Sequence, residues 1–196
     1  IIRGFTHGHR QPMLVVSIRV ISELSSVELD KFEEILQQQF SHDLKIDRVA
    51  AGPEILCRLV AWACALLEKA RHPVFSPPRL MKSELEGGRA FVLMIPCIMP
   101  SVTLTLLDHL VDLVNMPTID QGVAPGAESR AMKLYEYLDA NSLQGNNPYN
   151  FLVGAHQLEV PWYLLPGNVI QLGIGARSRW LNSSITDCTP VISTTI

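Results

Sequence analysis

Apolar positions along this chain switch between two spacings, and each switch marks where a strand gives way to a helix. Met13 to Ser22 is dense in β-branched residues and reads as a strand. A helix is predicted from Val27 to Phe40, with Ser26 as its N-cap and Val27, Phe32, Ile35, Leu36 and Phe40 roughly on one face. Its Glu28, Asp30, Glu33 and Glu34 crowd the N-terminal half, where the helix dipole favours them, and read as a solvated face. Pro53 opens a second helix to about Ala70. The stripe Leu56, Leu59, Val60, Ala63, Leu66, Leu67 and Ala70 makes it the most buried helix, and Trp62 reads as core. Ala90 to Cys97 is a continuous apolar strand, expected to be covered on both faces and to end or lie at an edge at Pro96. Ser101 is placed as the cap of a helix whose core face is Leu104, Leu107, Leu110, Val111 and Val114.

Prolines and glycines divide these elements. Residues 71–88 hold Pro73, Pro77, Pro78, Gly87 and Gly88 and read as a long exposed excursion with Arg71, Arg79, Lys82 and Arg89 nearby. Such a basic loop would suit an anionic ligand; an exposed connector is the plainer reading. Met116 to Ala127 carries Pro117, Gly122, Pro125 and Gly126 and reads as a linker. A helix over about 128–140 follows, with Ala131, Leu134, Tyr135 and Leu138 facing inward. Asn147 is then expected to cap a helix with Pro148 in its first turn and Phe151, Leu152, Ala155 and Leu158 on its apolar face. Val160 to Leu165 is extended, Pro166-Gly-Asn168 turns, and Val169 to Leu172 is a short strand. Gly173 and Gly175, with Arg177 and Arg179 at a basic tip, reverse the chain into Trp180 to Thr186. The pattern predicts an α+β protein. It comprises a mixed two-layer module over residues 1–115, a linker over 116–127 and a small α/β element over 128–196.

Composition narrows the function class. The 196 residues are 47% hydrophobic and 18% charged, with a formal charge of −3, which argues against a nucleic-acid partner. No apolar run approaches the roughly 20 residues of a membrane span. Cys57, Cys64, Cys97 and Cys188 show neither zinc nor redox spacing and read as reduced structural thiols, which with no export signal suggests the cytoplasm. His7 and His9 form a possible imidazole pair, but no third ligand lies near, so a solvated terminal stretch is the expectation. No metal site is predicted. The absence of an initiator Met, and the finish at Thr194-Thr-Ile196, suggest a piece of something longer.

Candidate chemistry is sparse. Gly173-Ile-Gly175 lacks the third glycine of a dinucleotide fingerprint and the G-K-[ST] ending of a P-loop, and it feeds a strand instead of a helix. Asp108 and Asp112, with His109 between them, could share a metal or a proton, though a polar helix face with a solvated histidine is the simpler reading. Arg177 and Arg179, if extended, point the same way, and two guanidinium forks on one face suit carboxylate or phosphate recognition; a solvated tip is the alternative. No serine or cysteine has a nucleophile's surroundings. The sequence predicts no catalytic residue.

One run of residues carries a resemblance. Val160-Pro161-Trp162, Gln171-Leu172-Gly173-Ile174-Gly175, the basic Arg177 and Arg179, and Ser184-Ile185-Thr186-Asp187-Cys188-Thr189-Pro190 follow one another in this order. The run resembles the segment that joins the N-terminal domain of cyanophycin synthetases, and of related glutathione-forming ligases, to their ATP-grasp domain. It departs at Ile174, where that family has Tyr, and at Pro190, where Ser is usual. The resemblance spans about fifty residues, and the first hundred follow the family only in element order. It implies a non-catalytic N-terminal region of an ATP-dependent carboxylate–amine ligase, positioning an amino-acid, peptide or polymer substrate and supporting assembly into a homo-oligomer. ATP and magnesium would then be held by a downstream ATP-grasp domain, with no cofactor and no ATP hydrolysis in this chain alone. A stand-alone interaction or ligand-binding module is the alternative.

Overall fold

The computed structural model describes residues 9–40, 52–83, 89–115, 127–143, 145–183 and 185–188. The expected linker falls almost wholly outside them, as do His7, Gly87 and Gly88.

Strand β1 (Met13–Arg19) lies antiparallel to β3 (Ala90–Pro96), and β2 (Arg79–Lys82) pairs antiparallel with the other side of β3. The excursion predicted over 71–88 therefore holds a strand. Its Leu80 is half-buried against the core while Arg79, Met81 and Lys82 stay exposed, too weak an alternation to read through the neighbouring prolines. One face of the sheet, Leu14, Phe91, Leu93 and Ile95, is buried against helices. On the other, Val92 and Met94 are only half-buried, so β3 is not fully covered on both faces by the described residues.

Four helices share the core under the sheet's inner face: α2 (Glu54–Lys69) and α3 (Pro100–Asn115) pack on the strands, and α1 (Ser26–Phe40) and α4 (Ala127–Ala140) pack on each other, with α4 also against α3. α2 is the central one, with Leu59, Val60, Trp62, Ala63, Leu66 and Leu67 all at 1% exposure or less. Each fully buried leucine of this kind contributes about 1.5–3 kcal/mol. The helix ends in a Schellman turn: His72 N–H donates to the Leu67 carbonyl at 2.8 Å, and Arg71 takes the left-handed position (φ 62°).

Three helix faces differ from expectation. The cap of α1 is Ser25, not Ser26: the Ser25 hydroxyl and N–H both donate to Glu28 Oε2 at 2.7 Å, and Glu28 N–H returns to Ser25 Oγ at 3.4 Å, a capping box. Its buried face is accordingly Leu29, Phe32, Leu36 and Phe40, and Val27 is exposed. In α3, Pro100 occupies the first turn, the Met99 carbonyl accepts from Val102 and Thr103, and Ser101 is no cap. Val102, Leu106, Leu107, Leu110 and Leu113 are buried, which leaves Leu104 exposed.

The carboxylates of α1 are not all solvated. Arg58 of α2 donates to Glu33 at 2.5 Å, Glu54 at 3.0 Å, Asp30 at 3.4 Å and the Leu29 carbonyl at 3.2 Å. Burial disfavours the Arg58 charge, but the hydrogen bond to Glu54 and the charge of Glu33 outweigh it, and its pKa moves up from the ordinary value. This ion cluster clamps α1 onto α2.

A second, smaller core lies beyond α4. Helix α5 (Asn146–Gln157) packs on an antiparallel meander of β4 (Trp162–Leu165), β5 (Val169–Leu172), β6 (Arg179–Asn182) and β7 (Ile185–Thr186). Leu152, Ala155, Trp162, Ile170 and Leu181 fill it. The cap of α5 is Gly145 (φ 80°), not Asn147, so the helix begins before Pro148 and its face rotates: Pro148, Leu152 and Ala155 are buried, Phe151 and Leu158 exposed. Helix α4, grouped by sequence with this second unit, instead contributes Ala131, Leu134 and Leu138 to the first core. The α+β class holds, with every pairing among the described strands antiparallel.

Candidate functional site

The basic tip predicted from sequence is the β5–β6 turn. Gly173 (φ 79°) and Gly175 (φ 61°) make the reversal, and residues 175–177 form a single 3₁₀ turn. A side chain at Gly173 would place its Cβ 3.3 Å from the Arg177 carbonyl oxygen, so glycine is required there by both contact and conformation. Gly173 N–H donates to the Pro161 carbonyl at 2.6 Å, Ser178 N–H to Gly175 at 3.1 Å, and Gln171 Nε2 to the Gly173 carbonyl at 3.2 Å. The turn is thus closed on itself and on β4.

Arg177 lies within the 3₁₀ turn and Arg179 opens β6, so the extended alternation that would align them does not apply. Both are exposed, and Arg179 Nη1 donates to the Ser178 carbonyl at 3.1 Å. Beside them Ile174 and Trp180 are 62% and 54% exposed. In the sheet register Trp180 stands opposite Gln171, which stands opposite Tyr163, so one aromatic row crosses the face turned away from the core. Sequence periodicity did not single out this row, because its strands are only four residues long.

The turn lacks the strand-to-helix geometry of a phosphate-binding loop. Of its amides, Gly173 N–H is taken by the Pro161 carbonyl and Ser178 N–H by Gly175, and the turn joins two strands instead of opening a helix whose N-terminus could hold a phosphate. No chemical step through ATP or magnesium can be derived from these residues.

The remaining candidates do not converge. Asp108 and Asp112 are exposed, but His109 is half-buried edge-on to Phe40, with ring centroids 6.2 Å apart, and is not the solvated histidine expected. Burial lowers the His109 pKa, Asp112 pulls it up and Arg130 pushes it down; the first effect prevails. His9 is buried too, at 4% exposure. Of the basic residues around 71–89, Arg71 donates to Asn146 Oδ1 at 2.6 Å and Arg89 to the Ile21 carbonyl at 3.2 Å, while Arg79 and Lys82 lie exposed on β2. They form no single cationic lip. Burial pushes the Cys64 and Cys97 thiols up to about 12, which leaves them unreactive. Among the described residues no three His, Cys, Asp or Glu side chains gather as metal ligands, and no helix is long and apolar enough to cross a membrane.

Sequence reasoning missed the junction between the two cores. Phe75, on the loop after α2, has its ring centroid 5.7 Å from Tyr149, 5.2 Å from His156 and 6.4 Å from Trp162. A lone phenylalanine in a proline-rich stretch carries no periodic signal. No protein-family model matches the chain, and no curated protein matches it significantly.

Proposed function

We propose that this chain is the non-catalytic N-terminal region of an ATP-dependent carboxylate–amine ligase of the ATP-grasp type, similar to cyanophycin synthetases. Its part would be to present an anionic amino-acid, peptide or polymer substrate at Arg177 and Arg179 to a downstream catalytic domain. The observation that carries this reading is the ordered run Val160-Pro-Trp162, Gln171-Leu-Gly-Ile-Gly175, Arg177 and Arg179, which falls on one meander with both guanidinium groups exposed. Exposed guanidinium forks suit carboxylates because they can donate two parallel hydrogen bonds.

The test uses the whole reading frame that contains this chain. ATP-dependent phosphate release should require an added amino acid or peptide and give an amide product. The double change Arg177→Ala, Arg179→Ala should lower kcat/KM about tenfold, the effect of one lost charge-assisted contact, with unchanged circular dichroism. No nucleotide-dependent amide formation, or unchanged kinetics in the double variant, would refute it. The 196-residue chain alone should show no stoichiometric Mg-ATP site by calorimetry. The exposed Ile174 and Trp180 favour one other reading, a stand-alone interaction module. That reading requires a partner captured through this tip and no ligase activity in the whole protein.

A further inference from the structure

We propose that Gln11 and Pro12 are a strap that fixes the orientation of the C-terminal unit by holding two apolar pegs, Phe75 and Ile98, which the first unit inserts into the second core. This inference stands on the junction alone and does not depend on the ligase reading.

Three consecutive residues each tie a different piece. Arg10 reaches the second unit through an ion pair with Glu159 at 2.7 Å. Glu159 sits at the left-handed position (φ 57°) that closes α5, where Val160 N–H returns to the Ala155 carbonyl at 2.8 Å. Gln11 is fully buried. Its Oε1 accepts from Phe75 N–H and Ser76 N–H, both at 2.7 Å, and its Nε2 donates to the Pro73 carbonyl at 3.2 Å. The Pro12 carbonyl accepts from Cys97 N–H at 3.0 Å, at the end of β3 and one residue before Ile98.

The two loops held this way are those that enter the second core. Phe75 packs against it in the aromatic contacts given above, and Ile98, 8% exposed, is one of its members. A buried amide is costly unless bonded. Gln11 uses both lone pairs of its oxygen on the backbone flanking Phe75, so its bonds specify one position of that loop. A loop freed from Gln11 would regain conformational freedom, and Phe75 with it. The basic tip on β5–β6 is therefore oriented by residues more than 160 positions earlier in the chain.

The distance between the units reads this directly. Spin labels are placed at exposed positions on rigid elements, Met132→Cys on α4 and Asn182→Cys on β6, in a Cys188→Ser background. The native strap should give one narrow distance distribution. Gln11→Leu, which keeps the bulk and removes the three bonds, should broaden it at least twofold, and Phe75→Ala should do the same. Arg10→Ala should leave it narrow, because that pair is exposed and screened. If Gln11→Leu does not fold, Phe75→Ala decides, since a large-to-small change in the small core leaves the first core intact. A narrow, unshifted distance in the folded Gln11 variant, or in Phe75→Ala where only that variant folds, overturns the proposal.

Discussion

His72 offers the clearest test of how this fold depends on pH. It follows the Schellman turn of α2, is 2% exposed, and its Nε2 donates to the Leu138 carbonyl of α4 at 2.8 Å. Burial lowers its pKa from the ordinary 6.5; the Leu138 carbonyl and Asp139 pull the other way and do not restore it. The folded state therefore binds this proton less readily than the unfolded chain. Its contribution is fully present above the unfolded value of about 6.5 and is lost as pH falls through that value toward the folded one. The slope is at most about 1.4 kcal/mol per pH unit for one group. His72→Gln places an uncharged donor near the Nε2 position. It should cost about 1 kcal/mol at pH 7.5, the scale of one imperfectly kept hydrogen bond. In urea unfolding at pH 7.5, 6.5, 5.5 and 5.0, the gap between native and variant should narrow as pH falls. A gap that stays constant from pH 7.5 to 5.0 would refute the assignment, because His109 and other groups titrate in both proteins and cancel in the difference.

Three further outcomes follow from named contacts. Arg58→Met keeps the apolar stem but leaves the Glu33 and Glu54 carboxylates without their cation. It should cost about 2 kcal/mol in urea unfolding, and Glu33→Gln in the same chain should recover part of the loss. Ser25→Ala should lose about 1 kcal/mol of stability while Ser26→Ala stays within about 0.5 kcal/mol; equal losses would place the capping box wrongly. Gly173→Ala should cost about 1–3 kcal/mol, because φ is 79° and the new Cβ meets the Arg177 carbonyl. Gly154→Ala, within α5 with nothing inside 4 Å, should stabilise by about 0.5–1 kcal/mol, and thermal melts compare the two.

Local rules determined much of this protein. The central helix and its buried stripe, the strand ending at Pro96 and the turn at Gly173 and Gly175 follow from period, proline geometry and positive φ. All three act over a few neighbouring residues. The exposure of Arg177 and Arg179 was legible for the same reason, as a glycine-bounded polar tip; their relative direction was not, because it depends on a 3₁₀ turn inside the loop. Tertiary structure decided the rest. Which serine caps α1 depends on where Glu28 can reach back, and the faces of α1, α3 and α5 rotate with their first turn. That Asp30 and Glu33 share Arg58, that β2 joins β3, and that Gln11 holds Phe75 are contacts between distant segments. Their energies arise from burial and charge proximity that exist only after the chain has packed, so no periodicity along the sequence records them.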